Sequence, residues 1–137
     1  MRHFLIIAAL FLAVLLLFLF FAPRGAAAAD GQAAFIDHCA GCHGVDADGD
    51  GPMAAILSVP PADLTGLAMG NDGVFPLGRV LERVGGQEPV IAHGGPMPVF
   101  GALLDGPSVA VATPDGSEIV TSEALAGIVA WLEEVQK

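Results

Sequence analysis

Positive charge is scarce in this chain. Its 137 residues carry 5 Lys and Arg against 15 Asp and Glu, a formal charge of −10. The imbalance deepens past residue 29, where only Arg79, Arg83 and Lys137 face all 15 acids and the formal charge is −12. Nucleic acid and anionic lipid both reward basic surface, so neither is the expected partner of that part. Cysteine is scarcer still: Cys39 and Cys42 are the only two. None follows the N-terminal apolar block directly, which excludes a lipidated N-terminus. The length suits one domain with one modest core, small enough for a covalent or cofactor crosslink to help it.

Apolar length, by contrast, is in excess at one end. Phe4 to Ala22 is 19 residues without a polar or charged side chain. It follows a short positive Met1-Arg2-His3 and precedes Ala26-Ala27-Ala28-Ala29, an A-x-A pattern that a signal peptidase accepts. Signal h-regions run about 7–15 residues, whereas about 18 can span a bilayer. Residues 1–29 are therefore read as a signal peptide or a membrane anchor, with any cleavage expected before Asp30, and residues 30–137 as the folded domain. Either way Arg2 holds the N-terminus inside and places the domain outside the cytoplasm. It is then soluble after cleavage, or tethered through residues 4–22.

Cys39-Ala40-Gly41-Cys42-His43 has the form of the c-type haem attachment sequence. Residues i and i+3 share one face of a helix, so two cysteines at that spacing can carry two thioethers to one porphyrin. His43, next in line, turns beneath the ring toward the iron. Asp30 is a good N-cap for the preceding helix. Phe35, Cys39 and Cys42 then fall on one stripe, which makes Phe35 core and leaves His38 on an outer face. Other uses of the two cysteines fit less well. Zinc usually takes four Cys or His ligands, and His38 and His93 are the remaining supply. A thioredoxin-like pair expects a βαβ setting, and the residues ahead of Cys39 do not read as a strand. A plain disulfide is permitted in an exported protein but leaves His43 without a reason.

Gly94-Gly95-Pro96-Met97-Pro98 cannot be helical, because its prolines fix φ and remove donors while its glycines break propensity. A rigid loop presenting a soft thioether suits haem iron; the alternative is a core-filling methionine. Met53 follows the motif too closely to reach the opposite face, and Met69 lacks flanking prolines. His93 is the rival ligand. Arg79 and Arg83 are i, i+4 in a helical pattern over 77–84 and are nearly the only cations for haem propionates, although surface solvation is the plainer reading of each. Asp46 to Gly51 imitates a calcium loop, but its twelfth position is Leu57 rather than Glu, so a solvated turn is expected. Val109, Val111 and Ile119 flank Pro114-Asp115-Gly116 and predict a short β-hairpin within an insertion over 105–121. Such a hairpin is decorative unless it shields the haem edge or touches a partner. A last helix opens at Thr121 or Ser122 and runs to about Gln136, burying Leu125, Ile128, Val129 and Leu132, with Trp131 packed on the Phe35 helix.

Taken together, these residues make 30–137 resemble the class I cytochromes c. The resemblance rests on Cys39-x-x-Cys42-His43, Met97-Pro98 and Trp131 in a final helix. Leu64, Asn71-Asp72-Gly73-Val74-Phe75-Pro76, Arg79 and Ala92-His93-Gly94 narrow it to small exported bacterial monohaem cytochromes c. It implies a mainly α fold around one covalent haem c attached at Cys39 and Cys42, with His43 and Met97 as axial ligands. It further implies a periplasmic one-electron carrier, not an enzyme, working between a redox-protein donor and acceptor. The shared Gly51-Pro52 makes the Pro52 carbonyl a candidate acceptor for the other N–H of His43. Two alternatives stay open. One is a haem subunit of a larger respiratory or photosynthetic membrane complex. The other is a haem enzyme or gas-binding sensor, which needs a vacant or labile iron site and against which Met97 argues.

Overall fold

The computed structural model describes Phe11, residues 25–86 and residues 97–137, with side chains from residue 30 onward in the first helix. The signal or anchor segment thus lies almost wholly outside the described residues, as do His93 and residues 94–96. Among the described residues no helix is long and apolar enough to cross a membrane. The fold is mainly helical, with a small antiparallel sheet. Its elements are α1 (Gly25–His38), α2 (Ala40–His43), α3 (Leu77–Gly85), β1 (Ser108–Ala112), β2 (Glu118–Ser122) and α4 (Glu123–Glu134), with short 3-10 turns at Ala54–Ile56, Leu64–Gly66 and Met69–Asn71.

Helix α1 begins at Gly25, five residues before the expected N-cap, so Asp30 is an exposed position within the helix rather than its cap. Ala26 to Ala29 explains the difference: four of the best helix formers in a row carry the helix upstream. The first and last helices cross closely. A Cβ on Gly31 would stand 1.9 Å from the Gly127 carbonyl oxygen, so only glycine lets the two backbones approach. One turn on, Phe35 meets Trp131 with ring centroids 4.7 Å apart and planes inclined by 43°. Phe35, Leu125, Ile128 and Val129 are fully buried, each contributing roughly 1.5–3 kcal/mol of transfer free energy. Ser122 is the N-cap of α4, its Oγ accepting from the Leu125 N–H at 3.2 Å.

Helix α3 inserts Leu81 and Val84 into the same core. It stops at Gly86, whose φ of 77° suits glycine and whose N–H returns to the Glu82 carbonyl. The predicted hairpin is present, with Val109 opposite Thr121 and Val111 opposite Ile119. Its turn is closed by Asp115, whose carboxylate accepts from the Ser117 N–H at 3.1 Å and from the hydroxyls of Thr113 and Ser117. Val111 and Ile119 pack against the core, and the Ile119 side chain lies 3.6 Å from where a Cβ on Gly78 of α3 would sit. The hairpin is therefore a brace for α3 rather than decoration.

Candidate haem site

Cys39 joins α1 to α2. Its N–H donates to the Phe35 carbonyl at 2.8 Å, and its own carbonyl accepts from Cys42 at 3.1 Å and from His43 at 3.0 Å. The turn at Cys39 therefore continues from the helix that carries Phe35 into the core and brings Cys39 and His43 to the site. Gly44, with φ 78°, ends α2. Cys39 is buried, Cys42 half-buried, and both thiols are free. Burial, and secondarily the neighbouring Cys42, push the Cys39 thiol up to about 11. That opposes a thioredoxin-like role, which needs a thiol shifted downward.

His43 is buried, and its Nδ1 lies 3.0 Å from the Ala62 carbonyl oxygen. A carbonyl can only accept, so Nδ1 carries the proton and Nε2 is left as the donor for a metal. The expected acceptor, Pro52, is thereby corrected to Ala62. The reason is where Gly51-Pro52-Met53 lies: the N–H of Gly51 donates to Cys42 O at 3.1 Å and that of Met53 to Gly41 O at 2.9 Å, which holds the stretch along the motif backbone. Pro60-Pro61 instead delivers an extended, rigid approach to Ala62. After Ala62 the chain is pinned by the Leu64 N–H donating to Ala47 O at 2.7 Å. Asp63 then caps the next turn, accepting from the Thr65 N–H at 2.9 Å and hydroxyl at 2.6 Å, bonds that hold its carboxyl below the usual carboxylate range. The loop that imitates a calcium site is a solvated turn, with Asp46, Asp48 and Asp50 exposed.

Cys39, His43 and Met97 line one cavity of about 280 Å³. Its apolar walls come from Phe35, Leu64, Leu67, Val80, Val84, Ile128 and Leu132. Arg79 and Arg83 line it too, Arg79 while remaining exposed as the plainer reading has it and Arg83 half-buried, with Leu81 and Val84 anchoring α3. Cys42 is not among the lining residues, and neither are Met53 and Met69, which are exposed. No hairpin residue lines it either, so the hairpin does not shield this cavity. Among the described residues no group of three or more His, Cys, Asp or Glu is placed to hold a metal ion, which leaves zinc without a ligand set there.

A haem asks for apolar walls against its macrocycle, nitrogen or sulfur donors for its iron, thiols for its vinyl groups and cations for its propionates. The cavity supplies a freed imidazole nitrogen, a thioether, a buried thiol with a second one three residues on, and two guanidinium groups. No curated protein and no solved structure matches the chain significantly. The family model described as Cytochrome c matches residues 28–136, a span that holds the cysteine pair, His43, Met97 and both crossing helices, and the chain belongs to that family.

Proposed function

We propose that this protein is a one-electron carrier in which a single haem c is attached covalently through Cys39 and Cys42 and ligated axially by His43 and Met97. Family membership supports a haem-based electron carrier. The observation that carries the finer reading is the cavity itself: His43, with Nδ1 committed to Ala62, shares it with Met97 and Cys39. Haem bound there supplies a couple between ferric and ferrous iron. The chain's own residues do the rest. The Ala62 carbonyl orients the imidazole and raises its basicity. The Met97 thioether, a soft and weak donor, favours the reduced state relative to imidazole. Phe35, Leu64, Leu67 and Ile128 keep water from the centre, and Arg79 and Arg83 offset the charge of the propionates. Were His43 and Met97 both to hold the haem iron, they would leave no position on it for a substrate, which is the basis for proposing a carrier rather than an enzyme.

The reading of residues 1–29 as a signal peptide or a membrane anchor supports a site of action outside the cytoplasm, in the periplasm, with the domain free or tethered. The charge of −12 over residues 30–137 supports a redox partner with a basic docking face, so association should slow as salt shortens screening to about 8 Å near physiological ionic strength. Thioethers survive denaturation, so the decisive experiment is haem staining on a denaturing gel together with mass spectrometry of the native protein. The expected result is a haem-positive band of one haem mass, abolished by Cys39→Ala with Cys42→Ala. A colourless native protein, or haem extracted by acid acetone, overturns the proposal.

A further inference from the structure

Helix α4 ends at Glu134, yet the polar contacts that tie its end to the wall of the cavity come after it. Gln136 Nε2 donates to the Leu132 carbonyl at 2.7 Å and to the Leu64 carbonyl at 2.8 Å, while Gln136 Oε1 accepts from the Ala68 N–H at 2.9 Å. Both donors of the amide and its acceptor are thus engaged. The Leu132 contact is local and satisfies an orphan carbonyl at the helix end, which is a purely structural role. The other two cross 68 and 72 positions of sequence to a single strap, residues 62–68. Beside them, the Lys137 N–H donates to the Thr65 carbonyl at 2.9 Å.

That strap does three things at the site. Ala62 offers the carbonyl that holds His43 Nδ1, and the side chains of Leu64 and Leu67 line the cavity. Leu64, two residues from Ala62, is clipped through both of its backbone groups: its N–H to Ala47 in the loop after the haem motif, its carbonyl to Gln136. The Asp63–Thr65 bonds lie within the strap and tie it to nothing else. We infer that Gln136 is a positioning residue for the histidine ligand: by clamping Leu64 and Ala68, it keeps the Ala62 carbonyl on His43 Nδ1. This rests on the haem reading above. Released from Gln136, the strap recedes, the imidazole loses basicity, and the ferric state loses the stabilisation that the Ala62 bond gives it.

The test uses the full-length holoprotein carrying Gln136→Met, which keeps length and bulk but no polar atom. Gln136→Glu serves as a second variant; it keeps an acceptor for Ala68 but, ionised, cannot donate to Leu64. Covalent haem in the wild type is established first, and its absence there counts against the haem reading rather than against this one. In both variants the His43 Nδ1–H should exchange with solvent faster by on the order of tenfold, the scale of one lost hydrogen bond, and the midpoint potential should rise. Leu125→Ala is the control: it empties a buried position that does not line the cavity, so it should lower stability and leave the potential in place. Lower stability in the Gln136 variants with unchanged exchange and potential would reduce Gln136 to a helix cap and overturn the inference. A fall in potential would overturn it as well, because water entering past Leu64 and Leu67, rather than loss of the histidine bond, would then dominate.

Discussion

His43 and Met97 line the same cavity, but different kinds of structure deliver them. His43 sits at the end of α2, buried, with its backbone N–H bonded to Cys39 and its ring bonded to Ala62. Met97 is half-buried in irregular chain before Pro98. The loop behind it is held to the end of α3 mainly by fit. Phe100 donates to the Val84 carbonyl at 3.1 Å, a Cβ on Gly101 would stand 2.7 Å from the Gly85 carbonyl oxygen, and one on Gly86 would stand 2.3 Å from the Val99 side chain. A ligand held by a helix and a directed hydrogen bond has one orientation. A ligand held by loop packing can be exchanged while the rest of the fold survives. The nitrogen side should therefore be the rigid one, and the sulfur side the one through which potential and ligand access are tuned.

The most severe test of that contrast is a pair of ligand substitutions. His43→Ala should yield no stable folded holoprotein. Met97→Ala should fold, turn toward a high-spin spectrum and bind carbon monoxide or cyanide readily, whereas the wild type should bind them slowly or not at all. Met97→His should stay low-spin while its midpoint potential drops by a sizeable part of the roughly 0.8 V that axial ligands span. Absorbance and potentiometry read all three. If Met97→Ala leaves spectrum and ligand binding unchanged, the sulfur is not the ligand and His93 is next to test. If the reduced wild type binds carbon monoxide at once, a sensor or enzyme moves ahead of a carrier.

The support behind each side gives smaller effects. Gly31→Ala forces a methyl into the Gly127 backbone at the crossing that carries the haem-motif helix, and should cost about 3 kcal/mol in denaturant unfolding, the upper part of the overpacking range. Gly86→Ala puts a side chain at φ 77° against Val99, and should cost about 1–2 kcal/mol. Heating should then remove the methionine ligand before the fold unfolds, whereas Gly31→Ala should lower both together. Loss in the opposite order would break the contrast between the two sides.

The smallest effect concerns the brace on α3. The Thr113 hydroxyl, then the Ser117 N–H and hydroxyl, hold the Asp115 carboxyl at about 2 against an ordinary 3.8. A depressed folded value means that the turn's contribution is complete above about 4 and is lost as pH falls toward 2. Amide exchange at Thr113 and Ser117 should quicken across that window, with the signature absent in Asp115→Asn.

Several elements are legible in the sequence because their signals are local. The Cys39–His43 spacing, the Leu125 to Leu132 stripe behind Ser122, the 77–84 pattern and the Pro114-Asp115-Gly116 turn each depend on periodicity, capping or turn chemistry within about a dozen residues. Asp30 failed as a cap for an equally local reason, since the alanines before it are better helix formers than its cap is a stop signal.

What the sequence determined by itself is therefore the set of reactive groups and the elements that carry them: two thiols and an imidazole within one short motif after the first helix, a thioether on a proline-bounded loop, and a last helix able to pack on the first. Tertiary structure decided the relations among them. Every residue has a carbonyl, so nothing in residue type distinguishes Ala62 from Pro52 as the partner of His43; only the course of the chain after Pro60-Pro61 does. Arg79, still exposed, and Arg83 read as surface cations, and only the placing of α3 by Leu81 and Val84 makes them border the cavity as well. Gln136 carries no local signal at all, because its contacts with Leu64 and Ala68 exist only once the two ends of the domain have been brought together.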